Sequence, residues 1–337
     1  MIQKPVTIKT IAKELGLSVS AVSKALNGYS DINPETKLRV TLKAEELGYS
    51  PNMLARSLVK KTSNFVGVVI RDVTTVYGEM FKALNNAARE NGLNLILYDT
   101  NRDAGQESIC VKNLIDSMAM GIVIAPVSKD VSAVRKLCKG RVPVVYLGGR
   151  ATDERENFVA TNSDMGARMA MDHLISLGHR DIALICDPPG SPSSRSNMTV
   201  YQEKMRALGR KERFFTEADM NGDSMAYGYR QAKKMLENRG EVTAVFAVRD
   251  MMAIGAIQAI RESGLRVPED ISVIGYDGID AAALPLISLT TVAQPREEMA
   301  NQIIRILMRR VEDPNLPPEH FYACPILTER KSCQKRG

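Results

Sequence analysis

Residues 7–28 read TIKTIAKELGLSVSAVSKALNG and contain two short amphipathic segments on either side of Gly16. In the first segment, apolar side chains recur at helical spacing, at Ile8, Ile11, Ala12 and Leu15. Thr7 is placed to cap this helix, and Gly16 ends it because glycine adopts a positive φ at little cost. A second helix follows the cap Ser18, and its inner face is formed by Val22, Ala25 and Leu26. The spacing predicts two short helices joined by a tight turn.

The outer face of the second predicted helix is small and polar, which suits insertion into the major groove of DNA. The side chains expected on that face are Val19, Ser20, Ser23, Lys24 and Asn27. A third helix is predicted to begin at Asn33-Pro34, a capping residue followed by proline at the first helical position, and to end at Gly48. A DNA-binding helix-turn-helix domain fits this pattern, and a generic three-helix bundle fits the same spacing.

The net charge is concentrated at the amino-terminal end of the chain. Residues 1–62 hold ten basic and five acidic side chains, which is +5 of the formal +6 carried by all 337 residues. A basic amino-terminal segment on a nearly neutral remainder favours a polyanionic partner for that segment. A solvated basic surface would give the same excess of basic residues.

Several other classes of protein leave no signal in the sequence. No run of about 18 apolar residues could span a membrane, and the first residues lack the apolar region of a signal peptide. The five cysteines are scattered, without a CxxC, HExxH or Cys/His cluster, so neither disulfides nor a metal site is expected. No P-loop, GxSxG or paired Cys and His indicates an enzyme, and no cofactor is expected. These features favour a cytoplasmic, non-enzymatic protein.

Residues 50–62 are predicted to form a short helix with a basic exit. Ser50-Pro51 is a cap followed by proline, the stretch up to Leu58 covers two helical turns, and Lys60-Lys61 follow. A free helix of this length is marginal in water, so the segment needs a partner on which to fold.

The residues described so far resemble the lactose-repressor (LacI/GalR) family. The similarity lies in residues 7–28, in INPETKLRV over residues 32–40 and in AEELGYSPNMLARSL over residues 44–58. In that family the segment after the three helices is a hinge helix that becomes ordered on the operator, where a leucine wedges between base pairs. The matching residue here is Leu58. An apolar wedge unstacks a base step and bends DNA toward further contacts, whereas an ordinary linker leucine would do neither.

The resemblance also implies which residues contact double-stranded operator DNA. The family's base-reading positions map to Val19, Ser20 and Lys24; Lys24 would donate to guanine or phosphate, and Val19 would make apolar contacts. The chain has Ala21 where threonine is usual and Thr10 where aspartate is usual, and neither change removes the fold signal. The full set of expected DNA contacts is Thr7, Ser18, Val19, Ser20, Ser23, Lys24, Asn27, Asn52, Ala55, Arg56 and Leu58.

After Ser63, short β-branched runs alternate with helical stretches. The predicted strands are 65–70, 94–98, 122–125, 143–147, 182–186, 244–248 and 271–276. The predicted helices are near 79–91, 106–118, 165–177, 224–238, 251–264 and 296–311. This alternation predicts an α/β fold with two doubly wound parallel-sheet subdomains, with ligands bound beyond the carboxyl ends of the strands.

The family resemblance extends across essentially the whole chain. It includes RDMMAIGAIQAIRESGLRVPEDISVIGYD over residues 249–277 and SLTTVAQP over residues 288–295. It implies a helix-turn-helix domain over 1–50, a hinge over 51–62 and an effector-binding and dimerisation domain over 63–337. The two subdomains, which resemble periplasmic sugar-binding proteins, are expected over roughly 63–162 plus 294–323 and 163–293 plus 324–332.

The implied function is that of a homodimeric transcriptional regulator of the repressor type, associated with the bacterial nucleoid. It would bind a palindromic operator under the control of a small-molecule effector in the cleft between the subdomains. The alternative is a periplasmic-type solute-binding protein without a DNA function. The missing signal peptide and the helix-turn-helix pattern both argue against that alternative.

The effector positions implied by the resemblance depart from the family at several points. They are Asp72, Tyr77, Asn197, Arg249, Asp277 and Gln294. Asn197 stands where a second arginine is usual, Arg249 where asparagine is usual, and Gly148 where an aspartate is usual. These changes widen the expected effector from a plain hexose to a sugar, a sugar acid or a sugar phosphate.

Arg249 raises a specific question about the charge of the effector. A guanidinium buried without an anion is costly, so Arg249 needs a partner. An anionic effector would supply one, because arginine presents paired donors that match a carboxylate or phosphate. An internal pair with Asp250 or Asp277 would supply one equally well and would leave a pocket for a neutral sugar.

Overall fold

A computed structural model describes residues 6–49, 63–74, 76–128, 130–148, 154–188, 192–218, 220, 223–238 and 240–336. The chain divides into two compact units, Met1–Ser63 and Asn64–Gly337.

The first unit contains three short helices around a small apolar core. They are α1 (Ile8–Leu15), α2 (Val19–Leu26) and α3 (Pro34–Glu46). The buried side chains of this core are Ile11, Ala12, Val22, Ala25, Val40 and Ala44.

The predicted caps of the first two helices are present in the structure. Thr7 forms a capping box with Thr10, and Gly16 ends α1 at a φ of 65°. The Ser18 hydroxyl accepts a hydrogen bond from the Ala21 amide at 3.1 Å. The turn between α1 and α2 is therefore determined by local sequence.

The described part of the second unit holds two six-stranded sheets. The strands are β1 (Phe65–Ile70), β2 (Asn94–Asp99), β3 (Gly121–Ile124), β4 (Val144–Leu147), β5 (Asn157–Thr161), β6 (Ile182–Ile185), β7 (Phe214–Phe215), β8 (Ala244–Ala247), β9 (Ser272–Asp277), β10 (Thr290–Ala293), β11 (His320–Ala323) and β12 (Ile326–Thr328). The first sheet has the order β11-β5-β4-β3-β1-β2, and the second has the order β12-β10-β9-β8-β6-β7. Every pairing is parallel except that of β10 with β12.

Helices cover both faces of these sheets. They are α4 (Val76–Glu90), α5 (Ala104–Asp116), α6 (Ser132–Cys138), α7 (Ser163–Ser176), α8 (Pro192–Ala207), α9 (Ser224–Glu237), α10 (Asp250–Glu262) and α11 (Arg296–Glu312), with a 3₁₀ helix at Asp280–Ala283. On β1, Val66 and Val68 pack into the cluster formed with α4 and α11, whereas Val69 packs into the cluster with α5 and α6. Side chains of one strand alternate between the two faces, so both faces need a helical layer.

The predicted fold class, an amino-terminal three-helix domain followed by two doubly wound parallel sheets, is confirmed. All seven predicted strand runs contain a strand. The structure adds β5, β7, β10, β11 and β12, and the helices α6 and α8, which the residue pattern did not indicate. The added strands are two to five residues long, too short for a period-two pattern to be distinguished from a loop.

Within the described residues the chain passes from one sheet to the other three times. The crossings follow β5, β10 and β11, so helix α11 returns to the first sheet and β12 returns to the second. The carboxyl ends of strands from both sheets border one cleft, and the residues that follow those strands line it.

Candidate DNA-binding surface and effector cleft

Of the side chains that the sequence pattern assigns to DNA on helix α2, Val19, Ser20 and Asn27 are exposed, whereas Ser23 and Lys24 are partly buried. Val19 remains 45% exposed although it is apolar, and Ser20 is also exposed. The side-chain amide of Asn27 donates a hydrogen bond to the Ser23 carbonyl at 2.7 Å, at the carboxyl end of the helix. Ser18 and Thr7 act as helix caps, so their hydroxyls are held at the amino-terminal ends of α2 and α1.

Lys24 has an acidic partner that the sequence pattern did not predict. Its Nζ lies 2.5 Å from an Asp31 carboxylate oxygen, with the two side chains 45% and 54% exposed. The pKa of Lys24 is raised by its hydrogen bond to Asp31, and the pKa of Asp31 is lowered by the same bond. Water screens a pair this exposed, so it holds Lys24 only weakly.

Four of the expected DNA contacts fall in the predicted hinge. Asn52, Ala55, Arg56 and Leu58 lie outside the residues that the structure describes.

The cleft between the two sheets has a volume of about 780 Å³. Five of the six predicted effector residues line it: Tyr77, Asn197, Arg249, Asp277 and Gln294. Asp72 is not among the lining residues. Its carboxylate accepts hydrogen bonds from Arg102 at 2.7 Å and from the Thr74 hydroxyl and amide at 2.5 and 2.9 Å.

Asp277 is the best-placed acceptor in the cleft. Gln294 Nε2 donates to its Oδ1 at 2.8 Å, and the Thr161 hydroxyl donates to Gln294 Oε1 at 3.0 Å. Burial raises the pKa of Asp277 to about 7, against the effect of the Arg249 charge. Its backbone has a φ of 122°, a conformation that is rare and strained for a residue with a side chain. The fold thus keeps Asp277 at the end of β9 in a strained backbone conformation.

Arg249 pairs with Asp187, which corrects the partners expected from the sequence. Arg249 Nε and Nη2 donate to the two carboxylate oxygens of Asp187 at 2.6 and 2.9 Å. Burial alone would lower the pKa of Arg249, but the Asp187 charge raises it above its ordinary value. Asp277 contributes a smaller attraction, and within the described residues Asp250 forms no ion pair with Arg249.

Asp250 instead ties three elements together beneath the cleft. It is fully buried, accepts from the Thr291 hydroxyl at 2.5 Å and accepts from the Ile279 amide at 2.8 Å. Burial raises its pKa to about 6. Its role is to fix the ends of β9 and β10 on which Asp277 and Gln294 stand.

Asn197 lines the cleft with an unused hydrogen-bonding atom. The residue is 2% exposed, and its Oδ1 has no hydrogen-bond partner within the described part of the chain. A buried polar atom without a partner costs free energy, so this atom indicates a ligand donor in the cleft.

Four charged residues that line the cleft were not among the predicted effector positions: Arg71, Asp164, Asp187 and Arg195. The Arg71 guanidinium donates to the Tyr77 hydroxyl and lies 4.8 Å from the centre of its ring. Arg71 and Asp187 each follow directly on a buried strand run. The rule that ligands bind beyond carboxyl strand ends could therefore have found both.

A polar clamp joins the two subdomains beside the cleft. Glu79 on α4 lies 2.9 Å from Arg296 Nη2 and accepts a hydrogen bond from the Asp280 amide at 2.7 Å. Arg296 also donates to the carbonyls of Asp277 and Gly278 at 2.9 and 2.7 Å. The clamp therefore links helix α4 of one subdomain to the loop that carries Asp277 in the other.

One family match falls in each of the two units of the chain. Residues 7–52 match the bacterial regulatory proteins of the lacI family, and residues 171–333 match a periplasmic binding protein-like domain. The repressor PurR of Pectobacterium carotovorum is 31% identical over 334 residues, which is 97% of this chain and 96% of that protein. The chain belongs to the LacI family.

Other LacI-family proteins resemble the chain over the same length. The ribose operon repressor of Escherichia coli is 29% identical and covers 97% of this chain and 99% of its own length. The Lac repressor dimer bound to operator and the anti-inducer ONPF has a TM-score of 0.85 and 27% identity, covering 98% of this chain and 100% of its own.

These matches show a LacI-family transcriptional regulator with a DNA-binding helix-turn-helix and a ligand-binding sensor domain. They favour that interpretation over a solute-binding protein without a DNA function. The relatives just named are transcriptional repressors rather than enzymes. Within the described residues, no helix is long and apolar enough to span a membrane, and no three His, Cys, Asp or Glu side chains are grouped as a metal site.

Proposed function

We propose that this LacI-family regulator represses transcription from the bacterial cytoplasm as a homodimer. It binds a pseudo-palindromic operator, and a neutral polyhydroxylated effector such as a sugar controls that binding. The observation that carries the proposal is the combination, in one chain, of an exposed α2 face with a cleft lined by strand-end polar residues. Residues 1–50 read DNA, 51–62 form the hinge, and 63–337 hold the effector and the dimer interface.

Helix α2 supplies the base contacts in this proposal. Its exposed outer face is narrow and carries one apolar side chain, Val19, beside the small hydroxyl of Ser20. Val19 fits a thymine methyl group, and Ser20 fits either a donor or an acceptor on a base edge. Lys24 exchanges Asp31 for a phosphate or a guanine when the helix enters the groove.

Replacing Asp31 by asparagine is expected to strengthen binding to any duplex about threefold to tenfold and to reduce the preference for the operator. The change releases Lys24 from its ion pair and removes one negative charge from the DNA-binding unit. Fluorescence anisotropy on operator and random duplexes measures both effects.

The matched control for that prediction is Glu46→Gln. It breaks the Lys43–Glu46 pair on α3, in which the Glu46 side chain is exposed, with the same change in charge but away from α2. An equal gain in affinity from both variants would show that net charge alone, and not the release of Lys24, changes the affinity.

The contacts of Arg249 favour a neutral effector over an anionic one. Asp187 already satisfies its charge through a bidentate pair, so Arg249 does not require an anionic ligand. The Asp277 carboxylate and the Asn197 side-chain oxygen can accept hydrogen bonds from ligand hydroxyls, and Gln294 holds Asp277 in place. A ring bearing several hydroxyls meets these groups, and Tyr77, Leu147 and Met299 supply the apolar wall.

The clamp at Glu79 provides the coupling between effector and DNA in this proposal. A ligand held by Asp277 acts on the loop whose carbonyls bind Arg296, and Arg296 and its partner Glu79 both belong to the first subdomain. The relative position of the subdomains therefore responds to occupation of the cleft. The proposed hinge directly precedes β1 in sequence, so the first sheet receives and transmits that movement.

A thermal-shift screen of neutral sugars, sugar acids and sugar phosphates tests the effector assignment. The similarity to a ribose operon repressor makes pentoses the first compounds to include. A ligand at about 100 times its dissociation constant raises the free energy of unfolding by about 2.7 kcal/mol. We expect a neutral sugar to raise Tm and to change operator affinity in anisotropy; a panel in which no sugar does either contradicts the proposal.

A further inference from the structure

The ion pair between Asp187 and Arg249 is built into the floor of the cleft. The Asp187 side chain is 2% exposed and that of Arg249 is 21% exposed, and both line the cavity. Arg249 uses Nε and Nη2 for Asp187, which leaves Nη1 directed away from the pair. The pair thus fixes the plane of the guanidinium and leaves one of its edges for another partner.

Arg249 stands between two carboxylates at the strand ends. β6, β8 and β9 are neighbours in the second sheet, and Asp187, Arg249 and Asp277 lie at or just beyond their carboxyl ends. An anion that approached Arg249 would therefore meet Asp187 on one side and Asp277 on the other. Negative charge on both sides of an anion, inside a partly dehydrated cleft, opposes its binding.

The acidic and basic side chains lining the described part of the cleft are three arginines and three aspartates. They are Arg71, Arg195 and Arg249 against Asp164, Asp187 and Asp277. Removing the charge of Asp187 alone makes the net charge of the lining more positive by one and releases the paired donors of Arg249. Donors of this kind match phosphate and carboxylate oxygens in pairs.

We propose that Asp187 determines the specificity of the effector cleft, by positioning Arg249 for a neutral ligand and by excluding anionic ones. The inference rests on the proposed function, since it concerns the same cleft. The alternative is that the pair only ties β6 to β8 and has no effect on ligand choice.

The test measures stabilisation of the full-length protein by potassium phosphate, against potassium chloride at matched ionic strength. Asp187→Asn is expected to show a saturable rise in Tm with phosphate, at a half-saturating concentration at least about tenfold below that of the parent. Asp187→Asn/Arg249→Gln is expected to lose this gain, because the anion then has no guanidinium fork. Asp270→Asn, which breaks the exposed Arg266–Asp270 pair in the same subdomain, is the matched control and is expected to respond like the parent.

A second variant, Asp187→Ser, makes the same charge change with a smaller side chain, so the test does not depend on the folding of one protein. D-Ribose and D-ribose 5-phosphate form a further pair of probes, and both Asp187 variants are expected to shift preference toward the phosphate. An equal phosphate response in the parent and the Asp187 variants overturns the inference, as does a gain that persists without Arg249.

The results that would refute the role of Asp187 differ from those that would refute the proposed function. If the cleft is not an effector site, no sugar stabilises the parent or changes its operator affinity, whatever the Asp187 variants do with phosphate. If only the inference is wrong, sugars act on the parent and the response to phosphate is unchanged by the Asp187 substitutions.

Discussion

Replacing Ser20 by aspartate is expected to lower operator affinity by at least about a hundredfold while leaving the fold at least as stable. Ser20 is exposed in the first turn of α2, directly after the cap Ser18 and Val19. A carboxylate there interacts favourably with the helix dipole, by about 0.3–1 kcal/mol. Against DNA the same charge faces phosphates and base acceptors, where a like-charge contact costs several kcal/mol.

The opposite signs of these two effects make the result easy to interpret. Thermal unfolding follows the stability, and fluorescence anisotropy on an operator duplex follows the affinity. Thr41→Asp, at an exposed position in the middle of α3, adds the same charge to the same unit and is expected to cost far less affinity. Equal losses from both substitutions would mean that α2 is not the element that enters the groove.

Replacing Leu58 by alanine is expected to weaken operator binding about tenfold or more and to reduce the bending of the DNA. The expectation rests on the family's hinge leucine, since residue 58 lies outside the residues that the structure describes. An apolar wedge offsets part of the cost of unstacking a base step, which is a few kcal/mol, by permitting contacts to bent DNA. The sensor does not contain this residue, so ligand-induced stabilisation is expected to be unchanged.

The bending itself is measured by circular permutation of the operator fragment. Leu42→Ala is the control, because Leu42 is an exposed leucine of α3, 56% accessible, in the unit that reads DNA. Parent and Leu58→Ala complexes with the same bend would show that Leu58 is a linker residue.

Local sequence was sufficient to predict the elements whose signals are themselves local. Thr7, Gly16 and Ser18 determine the ends of α1 and α2 through their own side chains or backbone freedom. The buried strands β1 and β8 were predicted because a run of β-branched and apolar residues between turns is typical of a buried strand. Strand β7 has two residues and β12 has three, so each depends on its neighbour in the sheet and not on its own pattern.

The pairings between charged side chains could not be predicted from the sequence. Arg249 was expected beside Asp250 or Asp277, yet its partner is Asp187, which is 62 residues away in the chain and one strand away in the sheet. Lys24 pairs with Asp31 across the loop after α2. Asp72 turns toward Arg102 and away from the cleft lining. Each outcome depends on the strand order and on loop conformations, which a pattern of residue types does not specify.

The most direct test of operator recognition is the affinity for a duplex recovered by selection from genomic DNA, compared with that for a random duplex over a series of KCl concentrations. We predict a pseudo-palindromic site bound with nanomolar-range affinity, at least about a thousandfold more tightly than random DNA. We also predict that the logarithm of the binding constant falls linearly with the logarithm of the salt concentration. A protein that shows no preference for any selected sequence, or whose binding does not respond to salt, would contradict the proposed function.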